Sequence, residues 1–451
     1  MRAAVSTELI PLARDGASAV ACATPCHPPC SEVEYWEQGY VCPATLPRIM
    51  RIVSLTLSVL LPLLTQAGDW PQWRGPQRSG VTSEKEWISQ WPSEGPKVAW
   101  KAAVGLGYSS FVVSGGKAVT LGHGNSQDTL YCFDVGSGRV AWKHSYPAEL
   151  GDKYFDGGTT GTPTIAGDRV YSLSRWGDLV CLQLSDGKVV WSKNVQKETD
   201  IPLPDWGFGG APLILGDTLF LNVGEHGMAL DAGTGAYRWR SPAESAGYST
   251  PLPFQWGNGT ALLFSSGQTY SAVDPRDGKR LWSMRWVTQY GVNAADPIVQ
   301  GDRVFVSSGY GKGAGSFKLP VGTGEPEQVW KGKALRTQLN AAVLYQGHLY
   351  GVDGDTTEKA SLKCLEWNTG AERWSSPGFG SGGVIIADGK LIALNGTGEL
   401  MVAPATSEGF KPIARAQVLG GKTWTAPVLA NGYIFCRNSR GDVVCLDVRR
   451  K

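Results

Sequence analysis

The sequence has no excess of either charge, with 42 Lys and Arg residues against 40 Asp and Glu residues. Charges that nearly cancel provide no basic field for nucleic acid or for anionic lipid. The apolar run from Ile52 to Leu64 is too short for a membrane span, which needs about 20 residues. The composition therefore argues against a nucleic-acid-binding protein and predicts no membrane span.

Side chains that carry chemistry are also scarce. Beyond residue 67 there are four histidines, and no two form a His-x-x-x-His pair. No Gly-x-Ser-x-Gly turn precedes a predicted helix, which argues against a nucleophile elbow. We therefore predict no catalytic residues and no metal site, although the sequence alone does not decide whether the protein is an enzyme.

Tryptophan, in contrast, is abundant, with 18 residues, and it recurs at regular intervals of 43 to 49 residues. Each recurring tryptophan follows a turn glycine and closes a unit of four short apolar runs separated by turn signals. One such unit runs from Gly161 to Trp191. The predicted structural tryptophans, including one upstream of the first unit, are Trp100, Trp142, Trp191, Trp239, Trp282, Trp330 and Trp374.

A period of this length with four strands per unit is typical of propeller blades. We predict an all-β, eight-bladed β-propeller of four-stranded antiparallel blades over residues 97–451. The last unit ends without a fourth strand, whereas an unassigned strand, Lys97 to Val104, precedes the first unit. We therefore predict that this N-terminal strand completes the eighth blade and closes the ring. The seventh unit lacks the tryptophan in its fourth strand, Pro412 to Leu419.

The N-terminal part divides into three predicted segments. Met50-Arg51, the apolar run and the small residues ending at Ala67 indicate a Sec-type signal peptide over residues 50–67. Because such a signal must begin the chain, we predict that translation starts at Met50 and that residues 1–49 are an unstructured, misannotated leader. We therefore expect the protein to be periplasmic or secreted. Residues 68–96, rich in Trp and Pro, are expected to form an extended arm along the propeller wall.

Four cysteines share one repeat position inside the third strand of their blades: Cys132, Cys181, Cys364 and Cys445. Equivalent positions on different blades are too far apart to bridge, and we expect small buried core residues there. Cys436 and Cys445 lie on neighbouring strands, so the sequence leaves open either a cross-strand disulfide or two packed thiols.

The run Ala229 to Trp239 resembles the tryptophan-docking motif of the pyrroloquinoline-quinone (PQQ) repeat propellers of the quinoprotein alcohol dehydrogenase-like superfamily. Phe133-Asp134, Val273-Asp274 and Asn368-Thr369-Gly370 repeat parts of that motif, and Trp70 to Pro76 resembles the start of many exported bacterial members. The resemblance is greatest to the BamB-like, non-catalytic exported members. It implies a scaffold that binds a protein or a ligand in the cell envelope, as a monomer, without a cofactor.

Two alternatives remain open at this stage. The first is a PQQ-dependent dehydrogenase of alcohols or sugars, in which the resemblance implies a quinone and Ca²⁺ in the central funnel. This sequence has no adjacent Cys-Cys pair of the kind that many such enzymes carry, and no spacing joins Glu225, Asn293 and Asp296 into a calcium site. The second alternative is a carbohydrate-binding or sensor domain.

The candidate binding residues precede the first strand of each blade, where a propeller places them near its central channel. They are mostly aromatic, which suits a concave site for a ligand or an extended peptide, although the same rings could close the funnel by packing. These candidates are Tyr108, Tyr154, Trp206, Tyr248, Tyr290, Asn293, Asn340 and Trp424.

Overall fold

The structure is a computed structural model, and it describes residues 68–322, 324–356 and 359–450. The described residues form eight antiparallel sheets, seven with four strands and one with an added fifth. The predicted eight-bladed, all-β propeller is therefore confirmed. The predicted leader (residues 1–49) and signal peptide (residues 50–67) lie outside the described residues and stay predictions.

Two strands precede the repeats, β1 (Val81–Thr82) and β2 (Lys97–Ala103). Blades one and two consist of β3 (Val112–Ser114), β4 (Lys117–Gly124), β5 (Gln127–Asp134), β6 (Val140–Pro147), β7 (Thr164–Ala166), β8 (Arg169–Leu173), β9 (Asp178–Gln183) and β10 (Val189–Asn194), and a short helix, α1 (Val195–Thr199), follows β10. Blades three and four consist of β11 (Leu213–Leu215), β12 (Thr218–Leu221), β13 (Met228–Asp231), β14 (Tyr237–Arg240), β15 (Leu252–Trp256), β16 (Gly259–Ser265), β17 (Thr269–Val273) and β18 (Arg280–Arg285).

Blades five and six consist of β19 (Ile298–Gln300), β20 (Arg303–Ser308), β21 (Gly313–Lys318), β22 (Glu327–Gly332), β23 (Val343–Tyr345), β24 (His348–Asp353), β25 (Ser361–Glu366) and β26 (Glu372–Ser376). Blades seven and eight consist of β27 (Gly383–Ala387), β28 (Lys390–Leu394), β29 (Glu399–Pro404), β30 (Ala414–Gln417), β31 (Val428–Ala430), β32 (Tyr433–Arg437) and β33 (Asp442–Asp447), with β2 as the fourth strand of blade eight.

The middle strands of each blade are buried on both faces, whereas the fourth strand is exposed. In blade two, for example, the four central residues of β9 are buried, but most of β10 is not. A strand covered by neighbouring blades on both sides must be apolar on both faces, which explains its continuous rather than alternating apolar pattern. The polar fourth strand forms the outer edge of the blade.

The ring closes as predicted. Strand β2 pairs antiparallel with β33, so that Lys97 lies opposite Asp447 and Ala103 opposite Asp442. The first strand of the propeller sequence therefore belongs to the same sheet as the last three. Such a closure gives the last blade its fourth strand, so that β33 is not left as an unpaired edge.

The recurring tryptophans connect each blade to the next. Six of the seven donate their indole N–H to a backbone carbonyl just past the third strand of the following blade, at 2.7–3.0 Å. Trp100, on β2, donates to the carbonyl of Val135 in blade one. Because Trp100 lies in blade eight, the contact that joins successive blades also joins the last blade to the first.

A turn glycine of the following blade provides the space for each ring. A Cβ atom added to Gly138 would lie 2.4 Å from Cγ of Trp100, and the residue adopts a left-handed φ of 68°. Gly187, Gly235, Gly278 and Gly370 meet the preceding tryptophan in the same way. Glycine is required at this position for both its conformation and its lack of a side chain.

Two junctions depart from this arrangement. The indole N–H of Trp282 has no acceptor within the described part of the chain. In the following blade, blade five, the turn between the third and fourth strands is longer than in blades one to four. Blade seven has no tryptophan on β30, as predicted. The carbonyl of Val448, which such a tryptophan would reach, instead accepts the backbone N–H of Ile88 at 2.6 Å. Trp87, beside Ile88, is buried in the same cluster.

All five described cysteines are buried free thiols. Cys436 lies opposite Val444 in the ladder between β32 and β33. Cys445, the next residue after Val444, therefore points to the other face of the sheet, and the alternative of a cross-strand disulfide is excluded. Cys132, Cys181, Cys364 and Cys445 each lie opposite a recurring tryptophan, where a small side chain is needed.

The N-terminal arm does not lie along the wall over its whole length, which corrects our expectation. Trp70 exchanges two backbone hydrogen bonds with Val113 in the first strand of blade one, and Val81 pairs with Ile386 in the first strand of blade seven. Residues 69–82 therefore occupy the channel, and we call them the plug. The plug buries Trp70 to 2% exposure, which is the physical reason for its position.

Candidate functional site

A cavity of about 260 Å³ lies next to the plug. Most of its lining residues belong to the connections that lead from one blade into the first strand of the next, and Tyr310 and Thr356 belong to turns between second and third strands. The rings that line it are Trp73, Tyr108, Tyr154, Phe155, Trp206, Tyr248, Tyr310 and Trp424. Tyr154 is 49% exposed, so the cavity opens to solvent on the side away from the plug.

Six of the eight predicted binding residues line this cavity: Tyr108, Tyr154, Trp206, Tyr248, Asn340 and Trp424. Tyr290 lies at the rim, where its ring centroid is 6.4 Å from that of Trp206 and 5.1 Å from that of Tyr310. The structure thus brings seven of the eight residues together. Whether they bind a ligand is a proposal, which is developed below.

Asn293 is the exception. It is fully buried, its amide N–H₂ donates to the carbonyls of Ser266 and Trp286, and its oxygen accepts from the Ser308 hydroxyl at 2.9 Å. Both amide hydrogens and the side-chain oxygen of Asn293 make hydrogen bonds inside the protein, so its role is structural. The sequence pattern gave its position relative to the strand but not the direction of its side chain.

Several lining residues were not among our candidates. Trp73 belongs to the plug, Phe155 and Tyr310 lie in Gly-rich connections, and Gln338 precedes Asn340. Phe155 could have been found, because it precedes the first strand of blade two, as the other candidates precede theirs. Tyr310 lies in the turn between β20 and β21, a position that we did not consider. No local pattern would have placed Trp73, which reaches the cavity only because the arm enters the channel.

Asp296 forms the polar floor of the cavity together with the plug. Its Oδ2 accepts the indole N–H of Trp73 at 2.6 Å and lies 3.9 Å from Nε of Arg74, and its Oδ1 accepts the backbone N–H of Thr250 at 2.7 Å. Burial raises the pKa of Asp296 above its usual value, and Arg74 and the two N–H donors oppose that shift. The carboxylate therefore fixes the plug to blades four and five.

Short polar side chains connect neighbouring blades around the cavity. Thr160 and Thr425 donate their hydroxyls to the carbonyls of Phe208 and Tyr108, and the Asn340 amide donates to those of Gly382 and Trp424. These bonds use the hydrogen-bond donors of the three side chains, whose oxygens keep lone pairs that can accept further hydrogen bonds. The walls are held in place by contacts within the protein.

The aromatic walls are packed against one another. Tyr108 stacks on Trp424 with ring centroids 4.9 Å apart and planes inclined by 21°, and Tyr154 lies 5.1 Å from Trp206. Burial raises the pKa of Tyr108 and Tyr248, so both phenols stay neutral. At the rim, Lys422 lies over Trp424 and pairs with Asp156 at 2.6 Å.

The cavity contains few residues that could act as an acid, a base or a metal ligand. The described lining of the cavity contains one carboxylate, Asp296, and no Lys, Arg or His. Among the residues that the structure describes, no group of three or more His, Cys, Asp or Glu is placed to hold a metal ion. Glu225, which we weighed with Asp296 as a calcium ligand, pairs instead with Arg280 at 2.8 Å.

Within the described ranges, no helix is both long and apolar enough to span a membrane.

Solved structures with the same fold include a BamB protein and quinoprotein-type dehydrogenases. BamB from Moraxella catarrhalis aligns with a TM-score of 0.56 at 15% identity, covering 77% of this chain and all of that chain. The quinohemoprotein alcohol dehydrogenase ADHIIG from Pseudomonas putida HK5 aligns with a TM-score of 0.63 at 13% identity, covering 86% of this chain and 81% of that chain. A europium-containing methanol dehydrogenase aligns with a TM-score of 0.61 at 13% identity, covering 82% and 90% respectively.

At these identities the structural likeness shows the fold alone. No curated protein sequence matches the chain. A sequence family model, described as outer membrane protein assembly factor BamB, matches residues 126–376, which is more than half of the chain. The chain therefore belongs to this BamB-type family of PQQ-like repeat propellers.

Proposed function

We propose that the protein is an exported, non-catalytic binding scaffold of the cell envelope, similar to BamB, and that the aromatic cavity is its binding site. The observation that carries the proposal is the asymmetry of the channel. The chain's own plug fills one end, whereas at the other end aromatic rings surround an open cavity of about 260 Å³. Concave aromatic surfaces with a few fixed polar groups suit a ligand or an extended peptide.

The dehydrogenase alternative requires PQQ and a Ca²⁺ ion in the funnel. PQQ is a tricarboxylic acid, and a buried anion of that kind needs cations or many N–H donors around it. The described lining offers neither a Lys nor an Arg, and its carboxylate would repel the cofactor. Calcium takes six to eight convergent oxygen ligands, while Asn293 and Glu225 are engaged elsewhere. The residues present do not fit this cofactor.

The experiment that separates these functions adds PQQ and Ca²⁺ to the purified protein. Absorption spectra after gel filtration would reveal bound quinone, and a dye-linked assay with methanol, ethanol and glucose would reveal oxidation. We expect neither bound quinone nor dye reduction. Stoichiometric quinone binding with dye reduction would contradict the scaffold proposal.

Export and partner binding need their own test. Mass spectrometry of the native protein is expected to find Gly68 as the first residue, because the predicted signal peptide ends at Ala67. Cross-linking in intact cells is expected to join the protein to an envelope polypeptide. Trp206→Leu should reduce that cross-link, since Trp206 lines the cavity, whereas Trp256→Leu, at the end of β15, should not.

A peptide recovered from residues 1–49, or a cross-link that survives the Trp206 substitution unchanged, would contradict the corresponding part of the proposal.

A further inference from the structure

We propose that the cavity binds an organic cation, a primary ammonium or a guanidinium group, with the charge directed toward Asp296. This inference rests on the proposed binding function and names the chemistry of its ligand. The ammonium or guanidinium could belong to a free amine or to a Lys or Arg side chain of a partner polypeptide. Both sources present the same group to the cavity.

Three polar side chains of the cavity lining have acceptor capacity that no described residue fills. Asp296 is 8% exposed and lines the cavity as a carboxylate. Gln338 is 9% exposed, and its Oε1 has no hydrogen-bond partner among the described residues. Both amide hydrogens of Asn340 are used for backbone carbonyls, and no described residue donates a hydrogen bond to its oxygen. Each oxygen of Asp296 already accepts one N–H bond and has a second lone pair. A ligand that uses the remaining acceptor capacity of these three groups must donate hydrogen bonds.

The aromatic walls of the cavity favour a positively charged ligand over a neutral one. The faces of aromatic rings attract cations within about 6 Å of the centroid, and eight rings line the cavity. The same chemistry already occurs at the rim, where Lys422 lies 4.6 Å from the centroid of Trp424 and Lys153 lies 4.8 Å from that of Tyr154. Asp156 balances the charge of Lys422.

The size of the cavity points to a single small group. At about 260 Å³ it lies just below the range of pockets that enclose drug-sized ligands, which is roughly 300–1,000 Å³. The hydroxyls of a neutral sugar would also donate to these acceptors, but without the charge-assisted hydrogen bond that a cation makes to the carboxylate of Asp296. An alkyl chain that ends in a cation fits both the aromatic walls and the acceptor floor.

The test uses ligands that differ only in their head group. Isothermal titration at pH 7 compares n-butylamine and n-butylguanidine with 1-butanol and butyrate. We expect the two cations to bind at least roughly tenfold more tightly than 1-butanol, since a charge-assisted hydrogen bond contributes more than a neutral one. Butyrate should not bind. Equal binding of the cations and 1-butanol would overturn the proposal.

Two variants locate the binding site. Asp296→Asn should reduce the affinity for n-butylamine roughly tenfold or more and leave that for 1-butanol unchanged. Because Asp296 also anchors the plug, the melting temperature of the Asp296→Asn variant must be measured. Trp206→Leu, at the open end, keeps the test decisive if Asp296→Asn unfolds. It should weaken n-butylamine binding, while Trp256→Leu should not.

Further ligands separate the remaining outcomes. An Arg-containing tripeptide that binds more tightly than n-butylguanidine would identify a polypeptide as the source of the cation, and the reverse order would identify a free amine. If glucose or Ca²⁺ binds in a Trp206-dependent manner and the amines do not, the cation proposal is wrong but the cavity remains a binding site. If PQQ binds with dye reduction, the proposed function itself is wrong.

Discussion

The two ends of the propeller channel contain similar aromatic and polar residues but differ in what surrounds them. At the closed end, Trp70 is 2% exposed and its backbone is paired with blade one. At the open end, Trp424 is only half-buried, and Tyr154 is 49% exposed. The difference shows that the closed end holds the fold together, whereas the open end has aromatic surface to offer a ligand.

The largest effect should come from removing the central ring of the closed end. Trp70→Ala is expected to lower the free energy of unfolding by about 3–5 kcal/mol, because a large buried side chain leaves a cavity. Trp424→Ala, at the open end, should lower the free energy of unfolding by less than about half of that amount. Chemical denaturation of both variants measures the contrast. Equal losses would remove the distinction between the two ends.

The next effect concerns the buried ion pair below the cavity. Arg74→Ala is expected to cost about 3 kcal/mol, since it leaves the carboxylate of Asp296 without its counter-charge and leaves the carbonyl of Ala342 without a donor. Lys422→Ala, which breaks the exposed pair with Asp156 at the rim, should cost less than about 1 kcal/mol. Thermal unfolding of the two variants measures this difference. A Lys422→Ala variant less stable than the Arg74→Ala variant would contradict the account.

A matched glycine pair tests how tightly each end is packed. Gly75 and Gly311 both have a left-handed φ, 82° and 67°, but an added Cβ would lie 3.0 Å from the ring of Trp70 in the first case and near no atom within 4 Å in the second. Gly311→Ala should cost about 1–2 kcal/mol from backbone conformation alone. Gly75→Ala should cost about 1–3 kcal/mol more from overpacking. Denaturation midpoints that coincide would show that the plug yields easily.

The smallest effect is a pH dependence at the open end. Because burial raises the pKa of Asp296 in the folded state, binding of n-butylamine should weaken as the pH falls through that raised pKa, while the amine stays charged. The other titratable groups beside Asp296 are Arg74, whose pKa is lowered by burial and raised by Asp296, and Tyr270, whose pKa is raised by burial. Titrations at several pH values measure the effect. Affinity that rises toward acid pH would contradict the role of Asp296.

The same pKa has a consequence for the ligand-free protein. A carboxyl group whose pKa is raised on folding binds its proton more tightly in the folded state than in the unfolded state. Its contribution to stability is therefore present below the unfolded pKa and is lost as the pH rises through the folded pKa. A bound cation would offset that loss, so the stabilisation by n-butylamine should grow over the same pH interval.

The ring could be predicted from the sequence because each blade repeats a local pattern. Trp100 and the orphan strand around it predicted closure, since a fourth strand without its own blade has only one place to pair. The position of the plug was not predictable in this way. Trp73 and Asp296 are separated by 223 residues, and neither belongs to a repeated pattern.

The candidate site shows the same division. Tyr108, Trp206 and Trp424 were found because the entry to the first strand is a fixed place in a propeller. Asn293 occupies a similar place but faces Ser308 and the Trp286 carbonyl. Side-chain direction in an irregular connection depends on tertiary hydrogen bonds, which sequence spacing does not encode.

Hydrogen–deuterium exchange of the arm tests the central claim most directly, namely that the chain's own plug closes one end of the channel. The amides of Trp70 and Gly80 donate to the carbonyls of Val113 and Arg74, and we expect peptides over residues 69–82 to exchange as slowly as those of the buried strand β9. Peptides over residues 152–158, at the open rim, should exchange quickly. If residues 69–82 exchanged as fast as the rim, the plug would not be part of the folded channel, and the contrast between the two ends would be wrong.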